Sequence, residues 1–309
     1  MLMLDSSRTI SSYLRVWWRL TRPHTLTASV IPVMVGTALA VDAQRLVLWR
    51  LAFMLLASLL LQVGTNMVNE YYDFRRGLDT IESVGIGGAI VRDGVAAIAV
   101  LRGAFIAFAL ALGLGIVLAA ATSWLVLGIG LVGMAAGFFY TGGPRPIAWT
   151  PFGELCSGVL MGGTLVVLAY YVQTLQVNGA SLALSIPTVL LVGSILLANN
   201  IRDLEGDRAH GRRTLPIVLG RRRATAILAG ALGVAYAWLF VLALWVLKSP
   251  WVLIGLGSMY FAIRALAGFR RDLHASATTL MPAMRATAQT NTYYGLSLTL
   301  GMLLTHWIP

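Results

Sequence analysis

The chain has few of the residues that most soluble chemistry relies on. Among 309 residues there is one cysteine, Cys156, which excludes an internal disulfide and any cysteine-held metal cluster. Cys156 lies in an apolar run, where a packed, inert thiol is expected. The four histidines, His24, His210, His274 and His306, have no paired ligand spacing, which argues against zinc and haem. Charged residues make up 11% of the chain, and only 12 are acidic, so each acid needs a reason to be there. The first 20 residues have no clean apolar core ahead of a small-residue cleavage site, so no removable leader is expected.

What is abundant is apolar. At 58% hydrophobic and a mean hydropathy of +0.79, the chain reads as an all-α integral membrane protein, and its length counts spans rather than soluble domains. A net charge of +11 would suit nucleic acid, but the arginines fall between apolar runs, where membrane orientation accounts for them better. Nine spans are expected, at 25–41, 51–71, 95–118, 125–140, 155–175, 182–201, 224–247, 251–268 and 290–307. Residues 1–22 precede them as a basic, amphipathic segment with Trp17 and Trp18 between Arg15 and Arg19, read as an interfacial helix. The whole of 1–309 is taken as a single membrane-embedded domain. With nine spans, 20 basic residues fall on one side and three (Arg45, Arg50 and Lys248) on the other. That bias places the N-terminus and the loops after spans two, four, six and eight in the cytoplasm, and Pro309 outside.

Seven of the 12 acids, Glu70, Asp73, Asp79, Glu82, Asp203, Glu205 and Asp207, crowd into two short stretches at the ends of spans two and six. Carboxylates at the mouth of a span are costly. In the first stretch, 66–79, Asn66, Asn69, Glu70 and Asp73 fall at i, i+3, i+4 and i+7; in the second, 199–213, Asn199, Asp203 and Asp207 fall at i, i+4 and i+8. Each spacing places oxygen ligands on one helical face. Two such faces together form a pocket of hard oxygens suited to Mg²⁺, with nearby arginines for phosphate. The plainer alternative is a solvated loop that only fixes topology. The repetition at two span ends favours the pocket and hints at an internal duplication.

An allylic diphosphate with a long isoprenoid tail fits this arrangement. Its tail belongs in lipid, and its head needs neutralising as the allylic C–O bond breaks. Mg²⁺ held by Asp73, Asp203 and Asp207 serves that purpose, with arginines as further donors. An apolar, aromatic-lined cavity keeps the resulting cation from water until an electron-rich aromatic acceptor attacks.

Arg92 is read either as a diphosphate contact or as a topology-setting loop arginine. Arg145, held between Pro144 and Pro146, is read as a pre-placed cation for an acidic aromatic acceptor. Tyr140 is read as flanking the allylic cation or the acceptor, and Tyr72 as similarly placed, with an interfacial tyrosine the ordinary alternative for both. Close helix packing is expected of the Gly162–Gly163 pair.

Five stretches carry a resemblance over almost the full length: TRPHTLTASVIPVMVGTALA, GTNMVNEYYDFRRGLD, GIGGAIVRDG, YTGGPRPIAWTPFGE and NNIRDLEGDRAHGRRTLPIVLG. In these the chain resembles the UbiA-type intramembrane prenyltransferases, and within them the branch acting on 1,4-dihydroxy-2-naphthoate in menaquinone synthesis. The resemblance implies nine helices around a central cavity open to lipid, cytoplasmic cap loops, Mg²⁺ as cofactor, and a polyprenyl diphosphate and a small aromatic acid as partners. It implies metal roles for Asn69, Asp73, Asp203 and Asp207, and diphosphate contacts from Asn66, Arg92, Arg202, Arg212 and Arg213. Asp79 and Asn199 border the same motifs. Glu70 stands where the family usually has Asp, and Arg212 where it often has Lys; arginine binds phosphate but cannot shuttle a proton. In that branch the acceptor loses its carboxylate as CO₂, a step these residues alone do not yield. The rival readings are a prenyltransferase for 4-hydroxybenzoate, homogentisate or haem, a secondary transporter, whose charges belong nearer mid-membrane, and a scaffold with a vestigial site.

Overall fold

The computed structural model describes residues 10–81, 88–271 and 275–307. Glu82, Gly87, His274, Pro309 and the first nine residues of the N-terminal segment lie outside the described residues. All regular structure among the described residues is helical. That outcome follows from the solvent: in lipid only a helix or a closed barrel satisfies every backbone N–H and C=O.

In chain order the helices are α1 (Ile10–Leu20), α2 (Thr27–Asp42), α3 (Leu48–Arg75), α4 (Ala89–Asp93), α5 (Ala97–Ala121), α6 (Trp124–Thr141), α7 (Gly153–Ser157), α8 (Leu165–Thr174), α9 (Gly179–Arg202), α10 (Leu204–Ala209), α11 (Leu215–Leu219), α12 (Arg221–Val241), α13 (Met259–Arg271) and α14 (Ala277–Trp307). A wider π-helical turn, Gly158–Thr164, joins α7 to α8; another, Leu242–Val246, extends α12; a 3₁₀ run, Pro250–Ser258, leads into α13. Among the described residues, seven helical runs are long and apolar enough to cross a membrane: α3, α5, α6, α7 through α8, α9, α12 with its π turn, and the 3₁₀ run with α13. The apolar helix Thr27–Val41 is shorter, and α14 is long, at 31 residues, but outside those seven. α14 begins well before the expected 290 and carries Pro282 in its second turn, where the missing N–H leaves the Thr278 carbonyl without its i→i−4 donor.

Local chemistry explains several boundaries. Asn178 caps α9 with a reciprocal box: its Oδ1 accepts from Ser181 N–H at 2.8 Å, and Ser181 Oγ accepts from Asn178 N–H at 3.2 Å. Ser123 Oγ accepts from Leu125 N–H to start α6. At the opposite end, Arg50 donates to the carbonyls of Ala121 at 3.1 Å and Val172 at 3.1 Å, placing one cation on the last turns of α5 and α8. On α1, Val16 and Leu20 are buried while Leu14 and Trp18 are exposed, as suits a helix lying along an interface.

Glycine sets how closely α9 approaches. A Cβ on Gly158 would lie 2.5 Å from the Val189 carbonyl oxygen, and one on Gly162 2.4 Å from that of Thr188. The packing expected of the Gly162–Gly163 pair therefore holds, with Gly158 as its partner one turn earlier. This close contact lets α7, the π turn and α9 form one wall of the cavity described next.

Candidate active site

A cavity of about 820 Å³ lies among α2, α3, α6, α7 through α8, α9 and α14. That is the size of a small-molecule site. Leu61, Leu160, Leu165, Val192, Leu196 and Met284 supply apolar wall. The charged end gathers Asp73, Asp79, Asp203, Asp207, Arg202 and Arg212. The two acidic stretches thus meet in one cavity.

The centre of this end is one guanidinium. Arg212 donates from Nη2 to Asp73 Oδ1 at 2.8 Å and from Nη1 to Asp207 Oδ1 at 3.0 Å. Asp203 is held by Arg202, whose Nε donates to its Oδ1 at 2.7 Å and whose Nη2 donates to its Oδ2. Asn69 Oδ1 accepts from Thr141 Oγ1 at 2.6 Å. Burial pushes the Asp207 carboxyl up to about 6 against the pull of Arg212. Burial, then the charges of Asp73 and Glu70, likewise raises Asp79 to about 6. These carboxyls sit in a field already rich in negative charge, and a cation would relieve it.

Among the described residues, no three His, Cys, Asp or Glu side chains are close enough to form a ready-made metal cage. The residues nonetheless fit Mg²⁺. Asp73, Asp203, Asp207 and Asn69 offer hard oxygens to one cavity, and Mg²⁺ keeps waters and substrate phosphates in its shell rather than requiring a full protein cage. Arg212 now supplies positive charge between two of those carboxylates.

The structure corrects the spacing argument in both stretches. Asn66, Asn69 and Asp73 line the cavity, but Glu70 does not join them. Successive helical residues are roughly 100° apart, so Glu70 falls at the far edge of the arc that Asn69 begins. It is 1% exposed; its Oε1 accepts from Gly88 N–H at 2.6 Å, and its Oε2 from Arg22 Nη2 at 3.3 Å. Glu70 is an anchor for the segment entering α4, where Gly88 adopts a φ of 101° that a side chain would strain. Asn66 is also committed to scaffolding: its Nδ2 donates to Thr21 O at 2.8 Å and to Thr25 Oγ1 at 3.0 Å. In the second stretch the single face is broken. α9 ends at Arg202, Asp203 is the junction, and Asp207 rides on the separate α10; Asn199, Asp203 and Asp207 still all reach the cavity.

Three expected arginines are not brought there. Arg92, Arg145 and Arg213 are exposed and lie outside the cavity wall. Arg145 stands between Pro144 and Pro146 in an exposed position; Arg213 is fixed through its backbone, whose N–H donates to Trp149 O at 3.0 Å. Tyr140 does line the cavity, whereas Tyr72 packs edge-on against Phe138, with ring centroids 6.0 Å apart.

The sequence reading missed Arg22 and Arg76. Arg22 lines the cavity with a left-handed φ of 50°, held by Glu70. Arg76 lies 5.1 Å from the Tyr72 ring centroid and 5.5 Å from that of Trp149, and donates to the Thr141 and Gly143 carbonyls. It clamps the 141–149 loop onto the end of α3, beside the Thr141–Asn69 contact. Only the arginine pair after Asp73 hinted at it. Glu70→Gln should therefore lower stability by about 1–3 kcal/mol, as expected when a buried charged acceptor is lost. Thermal unfolding in detergent tests this; an unchanged midpoint would contradict the anchor role.

Residues 29–288 match the model of the UbiA prenyltransferase family. The chain is 46% identical over 293 residues to the 1,4-dihydroxy-2-naphthoate octaprenyltransferase of Bacillus subtilis, covering 95% of this chain and 94% of that one. It is 33% identical to the protein of the same name from Mycobacterium tuberculosis, covering 88% and 91%. Among solved structures it superposes on a UbiA homologue from Aeropyrum pernix with a TM-score of 0.69 at 17% identity, covering 91% of this chain and 98% of that one. It superposes on one from Archaeoglobus fulgidus, bound to GPP and Mg²⁺, with a TM-score of 0.65 at 17% identity, covering 92% and 99%. With two acidic stretches closing on one membrane cavity and a family match spanning most of its length, this chain belongs to the UbiA prenyltransferase family.

Proposed function

We propose that this protein is a membrane prenyltransferase that moves a polyprenyl group from its diphosphate onto 1,4-dihydroxy-2-naphthoate, releasing CO₂ and diphosphate and giving demethylmenaquinol. The observation that carries this reading is the bridge from Asp73 through Arg212 to Asp207 at the charged end of an otherwise largely apolar cavity. The 46% identity to the Bacillus subtilis octaprenyltransferase supports the acceptor. A transporter is disfavoured by placement: Asp73 sits in the last turn of α3 and Asp203 just past α9, at helix ends rather than mid-span.

Asp73, Asp203, Asp207 and Asn69 would hold Mg²⁺, which when bound supplies charge neutralisation for the departing diphosphate. Arg212 and Arg202, now paired with those carboxylates, would donate to phosphate oxygens. The apolar wall shields the allylic cation from water. Tyr140, which lines the same cavity, would offer its ring to the cation.

Membranes containing the protein should prenylate 1,4-dihydroxy-2-naphthoate and not 4-hydroxybenzoate, with turnover lost on chelation and restored by Mg²⁺. Product from 4-hydroxybenzoate alone would overturn the acceptor assignment. Asp73→Asn and Asp207→Asn should each lower kcat by on the order of 10²–10³ or more while the protein stays folded. Retention of most activity by either variant would remove that residue from the site.

For topology, the proposal is nine spans in one domain, with α2 and α14 joining the seven longer apolar runs. The 20-to-three distribution of basic residues then sets the charged end of the cavity in the cytoplasm. Compartment-sensitive reporters on the two termini should read the N-terminus inside and the C-terminus outside. Both on one side would disprove the count.

A further inference from the structure

One carboxylate plays no part in the site as described. Glu154, in α7, is 7% exposed within an apolar helical run. Among the described residues no Lys, Arg or His forms an ion pair with it. Its Oε1 accepts from Asn200 Nδ2 at 2.9 Å, and its Oε2 is buried without a hydrogen-bond partner. An acid held this way is costly, and a neutral side chain would pack there at less expense. Its single polar contact leads to the cavity: Asn200 lines the wall, as do Cys156 and Ser157 from the same helix. A Cβ on Gly153, the preceding residue, would lie 3.0 Å from the Tyr140 hydroxyl, so this turn backs the Tyr140 side of the cavity.

We infer that Glu154 is a positioning residue that fixes Asn200 so that its amide oxygen faces the cavity as an acceptor for a hydroxyl of the aromatic substrate. The polarity follows from the contact: Asn200 Nδ2 is the atom bonded to Glu154, so its Oδ1 is what remains for the cavity. An amide oxygen backed by a carboxylate repels the oxygens of a carboxylate or diphosphate and attracts an O–H donor. Asn200 therefore selects the hydroxyl-bearing edge of the acceptor, while Arg202 and Arg212 take the diphosphate. The inference rests on the aromatic-acceptor reading above and names the group that recognises the acceptor's hydroxyl.

The test measures KM for both substrates in wild-type protein and in Glu154→Gln, whose side chain can present either an N–H or a C=O to Asn200 and so no longer dictates its orientation. Competitive inhibition constants are measured alongside for 1-hydroxy-2-naphthoate and 4-hydroxy-2-naphthoate, each lacking one hydroxyl. The expected result is a rise of about tenfold in KM for 1,4-dihydroxy-2-naphthoate, in line with one polarised hydrogen bond, with KM for the prenyl diphosphate unchanged. The penalty should persist for one monohydroxy compound and vanish for the other, which identifies the hydroxyl held. An equal penalty for all three compounds, a parallel rise in KM for the prenyl diphosphate, or no change would overturn the inference. If Glu154→Gln fails to fold, Asn200→Ser serves instead: serine still donates to Glu154 but offers no amide oxygen, and the same acceptor-specific pattern is expected. Wild-type protein that does not prenylate 1,4-dihydroxy-2-naphthoate defeats the functional reading itself, whereas active wild type with an unaltered variant defeats only the role of Glu154.

Discussion

One guanidinium ties the two acidic stretches together. Arg212 reaches Asp73, 139 positions away in the chain, and Asp207, five positions away, and so joins the end of α3 to the α10 segment. Without a cation between them, two carboxylates facing one cavity would repel each other in a medium that screens poorly. The bridge offsets that repulsion and holds the end of α3 to the α10 segment. It also makes the site responsive, because an incoming phosphate competes for the same guanidinium that the carboxylates share.

A second set of contacts does not touch the reacting end but fixes its walls. Gln62, Asn66 and Thr25 form a small polar cluster that pins α3 to the chain entering α2. Glu70 reaches back to Arg22 and Gly88, and Arg76 grips the loop after α6. Each is a polar side chain satisfied in a low-dielectric setting, where an unmade hydrogen bond is expensive. The cost of misplacement makes such networks rigid, and rigidity is what a pre-placed electrostatic site requires.

Much of this was legible in the sequence. Apolar runs of bilayer length give the helices, and acids at two span ends give the location of the site, because both signals come from local spacing and from the high cost of charge in lipid. Distances across the bundle are not local, and there the reading failed in specific ways. Glu70 shares the helical stripe with Asn66, yet its partner, Gly88, lies on a loop that no periodicity reveals. Arg145 looked like the best cation because its prolines stiffen it, but stiffness says nothing of location, and it is exposed and not part of the cavity wall. Asp203 and Asp207 keep helical spacing in the sequence although a junction separates their helices, and both still reach the cavity because the chain bends toward it.

The placement of the acids carries a final consequence. Asp73 lies in the last turn of α3, whereas Asp203 stands at the junction that closes α9 and opens α10, with Asp207 in the first turn of α10. Helix C-termini present unsatisfied carbonyls and a partial negative charge, so an acid there is in an unfavourable position even before its neighbours are counted. Arg202 and Arg212 answer this locally, with Nε and Nη2 of Arg202 on Asp203 and both Nη groups of Arg212 on Asp73 and Asp207. Arginines paired with acids in this way make the site a poor receptor for a bare diphosphate, because the phosphate must compete with those carboxylates. On the proposed reading, positive charge arriving with the diphosphate as Mg²⁺ would reverse that balance, which gives an electrostatic reason for a divalent cation where carboxylates and arginines are already paired.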